Sequence, residues 1–124
     1  MNCVKCKCGA EHITFEDFIA LSLPMPRSSI RITHANSLIQ CLTEYTKLEE
    51  IQYEYLCDKC KKKDKCKKQT VIWRFPPILI LHLKRFYAAT WRKEKLDTLV
   101  QFPTELDFSP YKGKSSNSYV MIRT

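Results

Sequence analysis

Cysteine is the residue through which this chain is best placed to do chemistry. Cys3, Cys6 and Cys8 cluster near the start, Cys57-Asp58-Lys59-Cys60 lies in the middle, and Cys41 and Cys66 stand alone. Two thiols separated by two residues can close on one ion, and a second close-spaced set can complete a tetrahedron. Structural zinc sites join distant segments in this way. Cys57 and Cys60 form one half of such a site. For the other half the two-residue gap favours Cys3 with Cys6, so Cys3, Cys6 and Cys8 all stand as ligand candidates, with zinc as the expected cofactor.

A thiol can instead be a nucleophile when an imidazole sits beside it and a third group orients the ring. Of the three histidines, His12 belongs to a segment next to the first cysteines, His34 precedes a helix, and His82 alternates with apolar neighbours. For His82 the ordinary reading is a satisfied core or surface imidazole rather than a catalytic base. Cys41 falls on the apolar stripe of a helix, where a free thiol behaves as a small hydrophobe. Cys66 has lysines on both sides and is expected to be a solvent-facing bystander. No catalytic residue is assigned.

The elements that must position these groups follow from periodicity. Gly9 suits a tight turn after the first cysteines, and 13–18 and 21–23 read as extended segments ended by Pro24 and Pro26. Ile30-Arg31-Ile32-Thr33 alternates as a half-buried strand would. Leu38, Cys41, Leu42 and Tyr45 then fall at helical spacing, behind an Asn36 or Ser37 cap with Gln40 three residues after Ser37. Gln52 to Leu56 is expected to lead as a strand into Cys57, and Thr70 to Phe75 to return. Pro76-Pro77 breaks it, and Ile78 to Phe86 resumes. The run Ile78-Leu79-Ile80-Leu81 lacks polar alternation and implies burial on both faces, more than so short a chain readily supplies. Tyr87 to Lys95 reads as a polar, aromatic loop, Asp97 to Phe102 as a further strand, and Pro103 to Tyr111 as an irregular stretch anchored by Leu106 and Phe108. A linker follows from Lys112.

Size and charge narrow the class. At 124 residues the chain is at most one domain with a thin core, for which a metal clip matters. The cysteine count is odd, and the Met1-Asn2-Cys3 start leaves no room for a signal peptide's apolar stretch, so a cytoplasmic or nuclear location is expected. No apolar run approaches the roughly 20 residues that span a bilayer. The formal net charge of +8 is concentrated in Lys59, Lys61, Lys62, Lys63, Lys65, Lys67 and Lys68. A solvated fingertip loop is the ordinary reading of that cluster; attraction to phosphates or to an acidic protein face is the other.

In order along the chain, Cys3 to Cys8, Thr14 to Pro24, Ser37 to Tyr45 with Cys41-Leu42, Tyr55-Leu56-Cys57-Asp58-Lys59-Cys60 and Pro77 to Phe86 resemble the middle of a ubiquitin-specific protease catalytic domain. Trp91 to Asp97 and Phe102-Pro103 extend the likeness, which covers Cys3 to Tyr111. The resemblance implies an α+β, mostly β fold: zinc-ribbon fingers of long antiparallel strands with one short helix, part of a papain-like hand that holds ubiquitin. By similarity 1–111 is the fingers and partial palm, and 112–124 is a linker or the start of the next segment. The family register, counted back from Thr14-Phe15 and Gly9, favours Cys8 as a ligand and puts Lys5 where its first cysteine belongs, with Cys6 or Cys3 as substitute. Phe86, Tyr87, Trp91 and Lys95 are the residues expected at ubiquitin.

The family's nucleophile lies in a Gly-Asn-Thr-Cys-Tyr box and its base in a Gly-His-Tyr motif, and neither string occurs here. The chain therefore reads as a deubiquitinase segment that binds ubiquitin or a ubiquitinated protein and is inactive alone. A non-catalytic ubiquitin-binding scaffold is the alternative, and a basic zinc ribbon binding nucleic acid ranks third. No membrane partner is expected.

Overall fold

The computed structural model describes residues 1–26, 36–89, 92–112 and 119–121. Short strands gather around one helix, so the chain is α+β and mostly β. The strand predicted at Ile30 to Thr33 and most of the 112–124 segment lie outside the described residues.

The helix, Leu38–Thr46, starts where its sequence predicts. Ser37 Oγ accepts from the Gln40 amide at 3.2 Å while Gln40 Oε1 accepts from the Ser37 amide at 2.8 Å, a reciprocal cap that satisfies two otherwise orphaned N–H groups. Its buried stripe of Leu38, Cys41 and Leu42 lies against the strand Ala20–Pro24. That strand pairs in parallel with Ile80–Lys84, aligning Ser22 with His82 and Leu23 with Leu83. Leu21, Leu23, Leu38, Cys41, Leu42, Ile72, Phe108 and Tyr111 close one core, with Leu79, Leu81 and Leu83 packed against it. Phe108 is fully buried and meets Phe75 edge-on at 5.2 Å.

Burial of Ile78 to Leu81 is thus one-sided. Leu79 and Leu81 reach the core, whereas Ile78 and Ile80 are 77% and 53% exposed. Period-two geometry puts them on the opposite face, which no described element covers.

A four-stranded antiparallel sheet carries the cysteines, in the order Glu11–Thr14, Asn2–Lys5, Lys67–Thr70, Glu49–Glu50. The returning strand expected at Thr70 to Phe75 is displaced toward the lysines. Its partner is Asn2–Lys5, with Asn2 opposite Thr70; past that register the Val71 amide donates to the Met1 carbonyl at 2.9 Å and the Met1 ammonium to the Val71 carbonyl at 3.1 Å. Ile72 makes only a bridge to Lys112. The approach to Cys57 is likewise shorter than expected: Tyr55–Leu56 pairs with Lys63–Asp64.

Tyr87 to Lys95, expected as a loop, contains an antiparallel hairpin in which Phe86–Ala89 faces Arg92–Lys95. Arg85 clasps its base, Nη1 donating to the carbonyls of Leu96 at 3.0 Å and Thr98 at 2.8 Å. Within 103–111, the strand Glu105–Asp107 pairs with Tyr119–Met121, and a 3-10 turn, Ser109–Tyr111, follows. Among the described residues no helix is long and apolar enough to cross a membrane.

Candidate metal centre

Two turns bring the thiols together. The first joins Asn2–Lys5 to Glu11–Thr14 and is closed by the Cys6 amide donating to the Ala10 carbonyl at 2.9 Å and the Gly9 amide to the Cys6 carbonyl at 3.0 Å. The second joins Tyr55–Leu56 to Lys63–Asp64, with the Cys57 amide donating to the Lys62 carbonyl at 3.1 Å and the Lys61 amide to the Cys57 carbonyl at 2.8 Å. In each turn the residue after the second cysteine takes a left-handed conformation, Gly9 at φ 82° and Lys61 at φ 56°. Glycine adopts that region freely; a lysine there is strained.

The turns face each other. Cys6 Sγ lies 3.9 Å from Cys60 Sγ and Cys8 Sγ 3.8 Å from Cys57 Sγ, and the four sulfurs all fall within 4.8 Å of one another. Four thiolates at about 2.3 Å from a central ion have tetrahedral edges of about 3.8 Å, so the spacing fits zinc or an ion of similar size. The cluster could hold a metal. Cys3 is not in it. It sits mid-strand, buried, opposite Ile13 and Gln69, and three residues of extended chain, about 10 Å, separate it from the turn.

At Cys57 the surroundings favour the thiolate. Hydrogen bonds from the Cys60 amide, then from the Lys59 amide and the Cys6 and Cys60 thiols, outweigh burial and pull the Cys57 thiol down to about 6. The Cys6 thiol receives hydrogen bonds from Cys8 that favour its charged form, but burial and the Cys57 and Cys60 thiols raise it overall. Sulfurs this close share proton loss as a group.

Sequence reasoning missed the contact that ties the turns beside the cluster. Lys7 Nζ, between two of the cysteines, meets Asp64 Oδ1 at 2.7 Å across the gap, and the Lys65 amide donates to the same oxygen at 2.7 Å. Opposite charges were visible at both positions, but nothing local linked residues so far apart. Alongside runs a cavity of about 460 Å³ lined by Cys6, His12, Tyr55, Cys57 and Lys59 among others.

Cys66, expected to face solvent, is buried. Its carbonyl accepts from the Ile51 amide at 2.9 Å and its thiol donates to the Asp64 carbonyl at 3.7 Å, because it enters the strand Lys67–Thr70 on the face that meets buried Ile51. Cys41 is fully buried in the core, where burial raises its thiol. His82 lies on the strand beside Ser22, and no hydrogen bond joins His12 to a thiol among the described residues. Of the residues expected at ubiquitin, Phe86 and Lys95 oppose each other in the hairpin, with Phe86 72% exposed and Lys95 paired to Asp97 at 3.0 Å. Tyr87 is placed opposite Glu94, and Trp91 and His34 lie outside the described residues.

Comparison with known proteins agrees with this architecture. The family model for ubiquitin carboxyl-terminal hydrolase matches residues 50–122. Ubiquitin carboxyl-terminal hydrolase 3 of Homo sapiens is 40% identical over an alignment of 128 residues, covering 95% of this chain and 24% of that protein. Ubiquitin carboxyl-terminal hydrolase 21 of Bos taurus is 39% identical over 107 residues, covering 84% and 19%. Among solved structures, the SAGA Ubp8/Sgf11/Sus1/Sgf73 DUB module bound to ubiquitin aldehyde superposes with a TM-score of 0.74 at 28% identity, covering 94% of this chain and 25% of that one. The same module bound to monoubiquitin gives 0.73 at 30% identity over 91% of this chain. The chain spans about a quarter of the length of the relatives it matches. With more than half of its residues inside the family model and its fold superposing on such an enzyme, the chain belongs to the ubiquitin carboxyl-terminal hydrolase family, among the ubiquitin-specific proteases.

Proposed function

We propose that this chain supplies the zinc-tied fingers and part of the palm of a deubiquitinating cysteine protease, that it grips ubiquitin, and that it does not hydrolyse on its own. The convergence of Cys6, Cys8, Cys57 and Cys60 from two hairpins carries this reading. A structural zinc held by those four thiols would supply a crosslink and no reaction step, and it would fix the angle between the hairpins. The fingers and partial palm correspond to 1–111, with 112–124 leading onward.

Ubiquitin binding is supported by relatives named as ubiquitin hydrolases and by similar structures described as bound to ubiquitin. The exposed Phe86 and the Lys95 opposite it offer an apolar and a cationic contact on one hairpin, held in place by Arg85; Tyr87 and Trp91 complete the assigned set. Absence of hydrolysis follows from the chain's own thiols. Cys41 is sealed in the core, Cys66 is buried, and the remaining near-surface sulfurs are committed to one another. Among the described residues none is hydrogen-bonded to an imidazole, and a thiolate nucleophile needs an oriented one. The zinc-dependent design and reduced thiols suit a cytoplasmic or nuclear location.

Calorimetric titration of ubiquitin into the zinc-loaded chain, run beside a ubiquitin C-terminal fluorogenic substrate, tests this directly. Saturable binding without turnover is expected. Absence of binding, or turnover that survives repurification, overturns it.

A further inference from the structure

The lysines at the end of the second cysteine hairpin have no part in the ubiquitin reading. We propose that this tip is a docking surface for the phosphate backbone of double-stranded nucleic acid. Lys59, Lys61, Lys62, Lys63 and Lys65 are all exposed, and none makes an ion pair among the described residues. Lower on the sheet the charge is offset, since Lys67 and Lys68 stand opposite Glu50 and Glu49. At the tip the only acidic neighbours in sequence are Asp58 and Asp64, and Asp64 is already engaged by Lys7. A four-thiolate zinc centre would add two negative charges beneath the turn. Lys7 and the five tip lysines still exceed these and the two aspartates.

The cations also sit on a hydrogen-bonded turn. The turn is closed by hydrogen bonds between Cys57 and both Lys61 and Lys62, and Lys61 occupies a left-handed conformation that glycine takes in the facing turn. Glycine would take that conformation without strain, and the lysine there keeps a charge at the tip.

Composition separates the partners. The tip's cations are all lysines, whose compact ammonium groups attract phosphates as point charges, without regard to sequence. A duplex carries about one charge per 1.7 Å and releases condensed counterions when neutralised, a gain that a sparsely acidic protein face does not offer. No aromatic residue lies between Asp58 and Lys65 on which single-stranded bases could stack.

The test is fluorescence anisotropy with a labelled duplex DNA of arbitrary sequence and the full zinc-loaded chain, from about 50 to 200 mM salt. Engagement of the five lysines gives a slope of log affinity against log salt of about −4.5, or about a 500-fold loss over that range. In the triple variant Lys62→Gln, Lys63→Gln and Lys65→Gln, which leaves Lys61 in its turn, the slope falls to about −1.8. A wild-type slope shallower than about −2, an unchanged slope in the triple variant, or equal affinity for a polyglutamate peptide overturns the proposal. Should the triple variant lose its zinc, lysine acylation of the wild-type chain decides: the duplex must protect the tip lysines, and protection confined to other lysines is contrary. Ubiquitin binding by the triple variant should be unchanged, which keeps this result separate from the ubiquitin reading.

Discussion

Replacing Cys57 with serine should cost this chain a large part of its stability. Cys8 and Cys57 are 49 positions apart, so a metal holding both closes a loop of that size in the unfolded ensemble. Treated as a crosslink, a loop of roughly 50 residues contributes about 4 kcal/mol by chain entropy alone, against a total of about 5–15 kcal/mol for an ordinary domain. For a chain of this length that is a fall in Tm of about 15 °C. The measurement is thermal unfolding followed by circular dichroism, for wild type and Cys57→Ser, each with and without a chelator. Wild type should lose most of the difference on chelation, while Cys57→Ser should be low and indifferent to chelator. Hydrogen exchange adds a spatial check. The amides of Cys6, Gly9 and Lys61, which close the two turns, should lose protection, whereas those of Leu21 and Leu23 in the core should keep theirs. A Tm insensitive to chelator in wild type would refute the reasoning.

Three other outcomes follow from the packing and the caps. Phe108→Ala empties the fully buried centre of the core and should destabilise by about 3–5 kcal/mol in urea unfolding, with metal content unchanged. Ser37→Ala removes the reciprocal cap of the helix and should lose about 1 kcal/mol in the same assay. Asp107 is held below the usual carboxylate range by hydrogen bonds from Ser109, including the amide at 2.9 Å. Because its folded-state value is depressed, its contribution is present above the ordinary carboxylate range and is lost as pH falls through the depressed value. Asp107→Asn should therefore show a shallower loss of stability on acidification than wild type, measured as Tm against pH.

What the sequence made legible was local. Ser37 and Gln40, with apolar residues at helical spacing, specified the helix and its start because cap and stripe lie within one short window. The pairing of a middle and an N-terminal cysteine set was equally plain, since close thiol spacing has few uses. The choice among Cys3, Cys6 and Cys8 was not. Spacing alone treats Cys3-Val4-Lys5-Cys6 as a ligand pair, whereas the bonds from Cys6 to Ala10 and from Gly9 to Cys6 put the turn at 6–10 and leave Cys3 in the strand behind it. Nonlocal pairing caused the remaining differences. The strand at Lys67–Thr70 is set by its register against Asn2–Lys5, and its lysines gave no apolar alternation to detect. Cys66 is buried by a sheet register that its lysine neighbours conceal, and the hairpin after Phe86 is pinned by Arg85 reaching carbonyls more than ten positions away.

The account stands most directly on the identity of the atoms around a bound metal. X-ray absorption at the zinc edge of the purified chain should show four sulfur neighbours at about 2.3 Å, preserved in Cys3→Ser and reduced to three in Cys8→Ser. Loss of a sulfur in Cys3→Ser, or a wild-type shell of nitrogen and oxygen, would contradict it.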